Sequence, residues 1–119
     1  MQFEKLTAAV AALRCGEVCI ASGQDAMDVI ASARYETGCD GLIVPKAALS
    51  EDFFRLPTGL AGEVLQKFVN YGMKIAVVGD FSQYTSKNLQ DFLWESNKGK
   101  TVFFVSTETE ALERLSNAK

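Results

Sequence analysis

Between Phe53 and Ser82 the chain reads FFRLPTGLAGEVLQKFVNYGMKIAVVGDFS, which runs from an apolar loop through an amphipathic helix into a strand with no linker between them. Thr58 and Gly59 head a helix from about Leu60 to Asn70, in which Leu60, Ala61, Val64, Leu65 and Phe68 form one stripe. Glu63, Gln66, Lys67 and Asn70 form the opposite face, and Gly72 stands where a left-handed cap ends a helix. Lys74 to Gly79 (KIAVVG) is apolar on both faces beyond its lysine, as a strand must be in the middle of a parallel sheet covered on two sides. A helix feeding directly into such a strand constrains the chain to an α/β fold with helices packed on a mostly parallel sheet.

The remaining segments extend the pattern. Glu17 to Ala21 (EVCIA) is a short apolar run opening onto Ser22-Gly23-Gln24-Asp25, where serine or aspartate can cap a helix reaching about Tyr35. Ala26, Met27, Ile30 and Ala33 recur there at helical spacing, and Gly38 stops it. Gly41 to Pro45 (GLIVP) reads as a buried strand, its proline at the outgoing end where no ladder donor is lost. Ser86 can cap a helix to about Asn97 with Leu89, Phe92 and Leu93 inward and Trp94 either inward or on a contact surface, and Thr101 to Val105 (TVFFV) is the last strand. A final helix to about Ser116 opens on Ser106-Thr107-Glu108-Thr109-Glu110, a hydroxyl cap followed by carboxylates. At the N-terminus, Phe3 to Leu6 and the alanine-rich TAAVAALR read as a hairpin, although the second segment also has the composition of a helix. The expected architecture is an N-terminal hairpin followed by strand-helix alternation four times over, with right-handed crossovers, in a single domain spanning residues 1–119.

The formal charge of -3 and scattered lysines do not suit a nucleic-acid footprint. No uncharged run approaches the length of a membrane span, and MQFEKLT lacks the basic-then-apolar pattern of a secretory leader, so a cytoplasmic location is expected. The absence of histidine excludes His-dependent triads, Cys-His nucleophiles and His-containing zinc sites. Cys15, Cys19 and Cys39 read as small reduced apolar residues, with a thiol-dependent redox role as the alternative. No catalytic residue, metal or cofactor is expected.

In open parallel sheets ligands gather beyond the carboxyl ends of the strands. The candidate ligand or switch residues in those loops are Asp25, Thr58, Gly59, Asp80 and Ser82, although capping accounts for Asp25, Ser86 and Thr107 without a ligand. Gly59-Leu60-Ala61-Gly62 lacks the lysine and hydroxyl of a nucleotide loop and reads as close helix packing. Glu51, Asp52 and Glu63 show no spacing that singles out an acid/base pair. Leu49, Phe53, Phe54 and Leu56 are either a core plug beneath the Lys46 to Pro57 loop or part of an exposed patch. Phe53, Phe54 and Trp94 are accordingly the candidate interaction surface.

TGLAGE (58–63), LQKFVNY (65–71), VVGDFS (77–82), ESNKG (95–99), FFV (103–105) and EAL (110–112) together resemble a bacterial family of single-domain proteins known as domain of unknown function 4180. That resemblance implies no activity. The order of elements is similar to the STAS fold of anti-sigma-factor antagonists, which implies a STAS-like architecture and a phosphorylatable hydroxyl before a helix; Leu56-Pro57-Thr58-Gly59 stands there, sharing the hydroxyl and the glycine but lacking the preceding aspartate and the paired serine. The expectation is a cytoplasmic regulatory or protein-interaction module with a protein partner, and with a homodimer as a further expectation. The rival is a small-molecule binder or enzyme using Asp80, Ser82, Asp25 and Thr58.

Overall fold

Residues 1–117 are described by the structure, a computed structural model. The hairpin is formed by β1 (Gln2–Lys5) and β2 (Val10–Arg14), antiparallel with Phe3 opposite Leu13. Its turn is held by Thr7, whose Oγ1 accepts from the amides of Ala9 (3.2 Å) and Val10 (3.0 Å). β2 is also the first parallel strand, pairing along its other edge with β3 (Gly41–Pro45), which pairs with β4 (Lys74–Val78), which pairs with β5 (Val102–Val105). The five strands lie in chain order, and β4 is interior as its sequence requires. The segment Glu17 to Ala21 is not a strand; it contributes a single bridge, Ile20 to Leu49. The alternation therefore begins at β2, whose VAAL is buried on both faces. Small side chains buried on both faces of a sheet override the helical preference of alanine.

Four helices complete the fold: α1 (Gly23–Thr37), α2 (Leu60–Asn70), α3 (Lys87–Asn97) and α4 (Glu108–Asn117). Sequential strand order with crossovers of one hand puts α1, α2 and α3 on the same face of the sheet. Side-chain alternation along each strand separates two cores. Ala11, Leu13, Leu42, Val44, Ile75 and Val77 meet the crossover helices, while Val10, Ala12, Ile43, Ala76 and Val105 meet Ala111 and Leu115 of α4.

Local chemistry sets the helix ends. Ser22 Oγ accepts from the Asp25 amide (3.1 Å) and Asp25 Oδ2 accepts from the Ala21 amide (2.9 Å), so Asp25 is occupied as half of a reciprocal cap. Glu63 of α2 reaches across to accept from the Gly23 amide at 2.9 Å. A Cβ at residue 23 would lie 2.5 Å from that carboxylate oxygen, so glycine is what lets the two helices exchange this bond. α4 opens with Thr107 Oγ1 accepting from the Glu110 amide and Glu110 accepting in return from the Ser106 amide.

The connection from β3 to α2 is three successive 3-10 turns, Lys46–Ala48, Glu51–Phe54 and Leu56–Thr58. Phe53 is 0% exposed and Phe54 4%, which corrects their assignment to an interaction surface: both are core. The physical reason is an aromatic cluster, in which Phe53 packs edge-on to Phe54 (ring centroids 4.9 Å apart) and lies 6.2 Å from Phe104 of β5.

A second correction concerns the cysteines. Cys15 and Cys19, expected as free apolar thiols, are joined by a disulfide within the turn after β2, whereas Cys39 is free and buried.

Arg14, at the end of β2, grips Glu108 of α4 with two bonds (2.9 and 2.8 Å) and also meets Glu4 (3.0 Å). Hydrogen bonding from Arg14 holds the Glu108 carboxyl below its ordinary value of 4.5. A depressed carboxylate stabilises the fold above that ordinary value, and the benefit is lost as pH falls through the lowered one. Both side chains are 42% exposed, so the pair is screened and contributes no more than about 1 kcal/mol. Urea midpoints of wild type and Glu108→Gln are expected to differ at about pH 7 and to converge in acid, below the ordinary value of 4.5. A gap that widens in acid would refute this.

Candidate functional site

The loops after β2, β3, β4 and β5 meet at one border of the sheet. Thr58 ends the third 3-10 turn, immediately before α2. Its hydroxyl hydrogen is shared between the carbonyls of Asp52 (2.7 Å) and Arg55 (2.9 Å), and its oxygen accepts from the Leu60 amide (3.2 Å). Thr58 thus supplies the side-chain cap that Gly59 cannot, while Gly59 supplies the left-handed backbone (φ 79°) joining turn to helix. Thr58 remains exposed.

Beside Thr58 lies an open hollow of about 760 Å³ between the 3-10 turns and the head of α3. Phe54, Leu56, Pro57 and Leu89 form its apolar floor, and Arg55, Ser86 and Asn88 join Thr58 around it. Asp80 and Ser82 are not in it. They belong to the β4–α3 connection, where the Ser82 amide donates to Asp80 Oδ1 at 2.9 Å. The Ser82 hydroxyl and amide, with a smaller contribution from Lys46, hold the Asp80 carboxyl below its ordinary range. Asp80 lines a separate, shallower hollow with Lys46, Gly79 and Gln83. Asp25 lines neither, so the polar residues expected to converge on one small ligand are dispersed.

Lys46, Glu51 and Tyr84, which the sequence did not single out as a unit, form a group that touches the lining of both hollows, through Phe54 of the first and Lys46 of the second. Tyr84 stacks on Phe54 (4.9 Å, planes 16° apart) and donates to Glu51 (3.0 and 3.2 Å). Lys46 Nζ lies 5.0 Å from the Tyr84 ring centroid and 3.5 Å from Glu51. The Tyr84 hydroxyl, opposed by partial burial and helped by Glu51, holds the Lys46 ammonium above its ordinary range; burial, foremost, pushes the Tyr84 phenol up. The three side chains are complementary partners that already satisfy one another, the phenol donating to the carboxyl group and the ammonium lying beside both. The group ties the β3–α2 turns to the β4–α3 connection. Gly79 makes room for Lys46 there, since a Cβ at residue 79 would come within 2.6 Å of Lys46 Cβ.

Trp94 is 65% exposed on α3, with Lys98 Nζ 5.3 Å from its ring centroid. Among the described residues, no three Cys, Asp or Glu side chains are gathered closely enough to hold a metal ion, and no helix is long and apolar enough to cross a membrane.

A family model described as "Domain of unknown function (DUF4180)" matches residues 5–115. No curated protein matches the chain, and no solved structure does.

Proposed function

Since the chain belongs to the DUF4180 family, whose description names no activity, we propose from the rim alone that it is a small cytoplasmic regulatory module with a STAS-like fold. It meets a protein partner through the hollow beside Thr58. The observation that carries this reading is the joining of an open apolar floor to an exposed hydroxyl at the head of a helix. An apolar recess with a polar margin suits an inserted apolar side chain of a partner.

Modification of Thr58 would act on that recess directly. A phosphoryl group on Oγ1 removes the hydrogen now shared between the Asp52 and Arg55 carbonyls and sets negative charge against those oxygens. The same charge is favoured by the amides at the head of α2 and by the exposed Arg55 beside it. The turns lining the hollow would therefore rearrange while the helix behind them is retained. The rival small-molecule reading loses support from the separation of Asp80, Ser82 and Asp25 from Thr58.

Affinity capture from the native cytoplasm with wild type, Thr58→Glu and Leu56→Glu, together with phosphopeptide mapping of the native protein, tests the proposal. The expected result is one protein that binds wild type directly, roughly tenfold or more weaker after either substitution, and phosphate on Thr58 in a fraction of the native chains. Equal binding by all three forms, with Thr58 unmodified, would remove both the surface and the switch.

A further inference from the structure

The Cys15–Cys19 bond is not needed to hold the domain together. Both faces of the sheet carry buried apolar clusters, and a chain of this length supports its own core without crosslinks. A ring closed across a sequence separation of 4 constrains the unfolded chain far less than a long one. The effect of the bond is therefore local, and its position says on what. Immediately after the ring, the amides of Cys19 (2.8 Å) and Ile20 (2.9 Å) both donate to the Ala48 carbonyl, and the Ser50 amide returns a bond to the Ile20 carbonyl at 3.0 Å. Ile20 is fully buried and bridges to Leu49. The turn bearing the disulfide is thus clasped onto the start of the 3-10 segment, whose later residues are the aromatic plug and Thr58. Cys15 and Cys19 are only partly buried, whereas Cys39 is 1% exposed.

We propose that Cys15 and Cys19 are a thiol-disulfide exchange site that tightens or loosens the clasp on residues 48–50. The reactants are a low-molecular-weight thiol of the glutathione class and its disulfide. A thiolate of the reductant attacks one sulfur of the pair, forming a mixed disulfide and releasing the other cysteine as a thiolate that takes up a proton. A second reductant thiolate attacks the reductant's own sulfur in that mixed disulfide and displaces the remaining cysteine, which is likewise protonated. Two electrons and two protons pass to the protein, and one small-molecule disulfide leaves; the reverse sequence reforms the bond. With the ring open, residues 15–19 regain backbone freedom, and the three amide bonds to and from residues 48–50 lose the constraint that holds one side of them in place. The proposal does not depend on what binds beside Thr58, and its test contains no partner.

Full-length protein is equilibrated in a series of reduced and oxidised glutathione mixtures, approached from both directions, then acid-quenched, alkylated and mapped by mass spectrometry. Amide hydrogen exchange is measured on the same samples and on a Cys15→Ser/Cys19→Ser double variant, with Cys39→Ser as the control. Cys15 and Cys19 are expected to pass together and reversibly between alkylated and protected forms, with Cys39→Ser unchanged in this respect. Exchange at the amides of residues 19, 20 and 50 is expected to be roughly tenfold or more faster in the open form, with β3 and β4 unaltered. If the double variant does not fold, reduced wild type supplies the open form. The proposal is overturned if the two cysteines are alkylated in every mixture, if the bond survives the most reducing one, or if exchange at residues 19, 20 and 50 is the same in both forms.

Discussion

Replacing Phe53 with alanine is expected to lower stability by about 3 to 5 kcal/mol, the usual cost of removing a fully buried aromatic ring. In a domain of this size that corresponds to a fall in melting temperature of about 10 to 20 °C. Phe53 is completely enclosed, and its contacts join the 3-10 segment to β5 through Phe104. The cavity left behind would border Phe54, and Phe104 makes a further edge-on contact with Phe81 at 5.7 Å, so neighbouring rings cannot close the gap without losing their own contacts. Urea unfolding of the variant at neutral pH gives the number. A loss below about 1 kcal/mol would mean that the segment is a surface loop and that its aromatics do not hold the rim together.

Asn97→Ala is expected to cost about 2 to 3 kcal/mol, a large effect for a residue at the end of a helix. β5 is the last strand of the sheet, so the outward backbone groups of Phe104 have no strand to pair with among the described residues. Asn97 supplies the missing partner from its side chain: Oδ1 accepts from the Phe104 amide at 2.7 Å and Nδ2 donates to the Phe104 carbonyl at 3.0 Å. Arg114 donates in turn to the Asn97 carbonyl, fixing the end of α3 against α4. Alanine would leave both groups of a nearly buried residue unpaired and open a margin onto which another chain's strand can add. Chemical unfolding reports the stability loss, and light scattering at rising concentration reports association. An Asn97→Ala protein as stable and as monodisperse as wild type would show that the side chain closes nothing.

Periodicity and capping chemistry were enough to read the α/β layering, the helices and the strands from β3 onward, because each rests on residues close in sequence, whereas the apolar run Glu17 to Ala21 is not a strand. Ser22 with Asp25, Ser86 with Leu89, Thr107 with Glu110 and the left-handed Gly38 all act within a turn of their own position. β2 was legible only as one of two options, since alanine is neutral about which faces are covered and the covering comes from α1 and α4. The rim was less legible for the same kind of reason. Lys46, Glu51 and Tyr84 come from three different turns and acquire meaning only when the sheet brings β3 and β4 side by side. Phe53 and Phe54 were recognisable as residues that must pack, yet whether they pack inward or onto a partner depends on Phe104, far along the chain. The spacing of Cys15 and Cys19 was visible in the sequence, but nothing local distinguishes a bonded Cys-x3-Cys from a free one.

Strands laid down in the order in which they are synthesised have a consequence for assembly. Each new β-α unit leaving the ribosome finds the edge it must join already exposed and unclaimed, and no strand has to wait for, or insert between, partners made later. Such a sheet can grow outward from its hairpin as elongation proceeds, but growth of this kind has no intrinsic terminus. Asn97 provides one, and it is translated before the strand it closes, so the stopper is on hand when the final edge arrives.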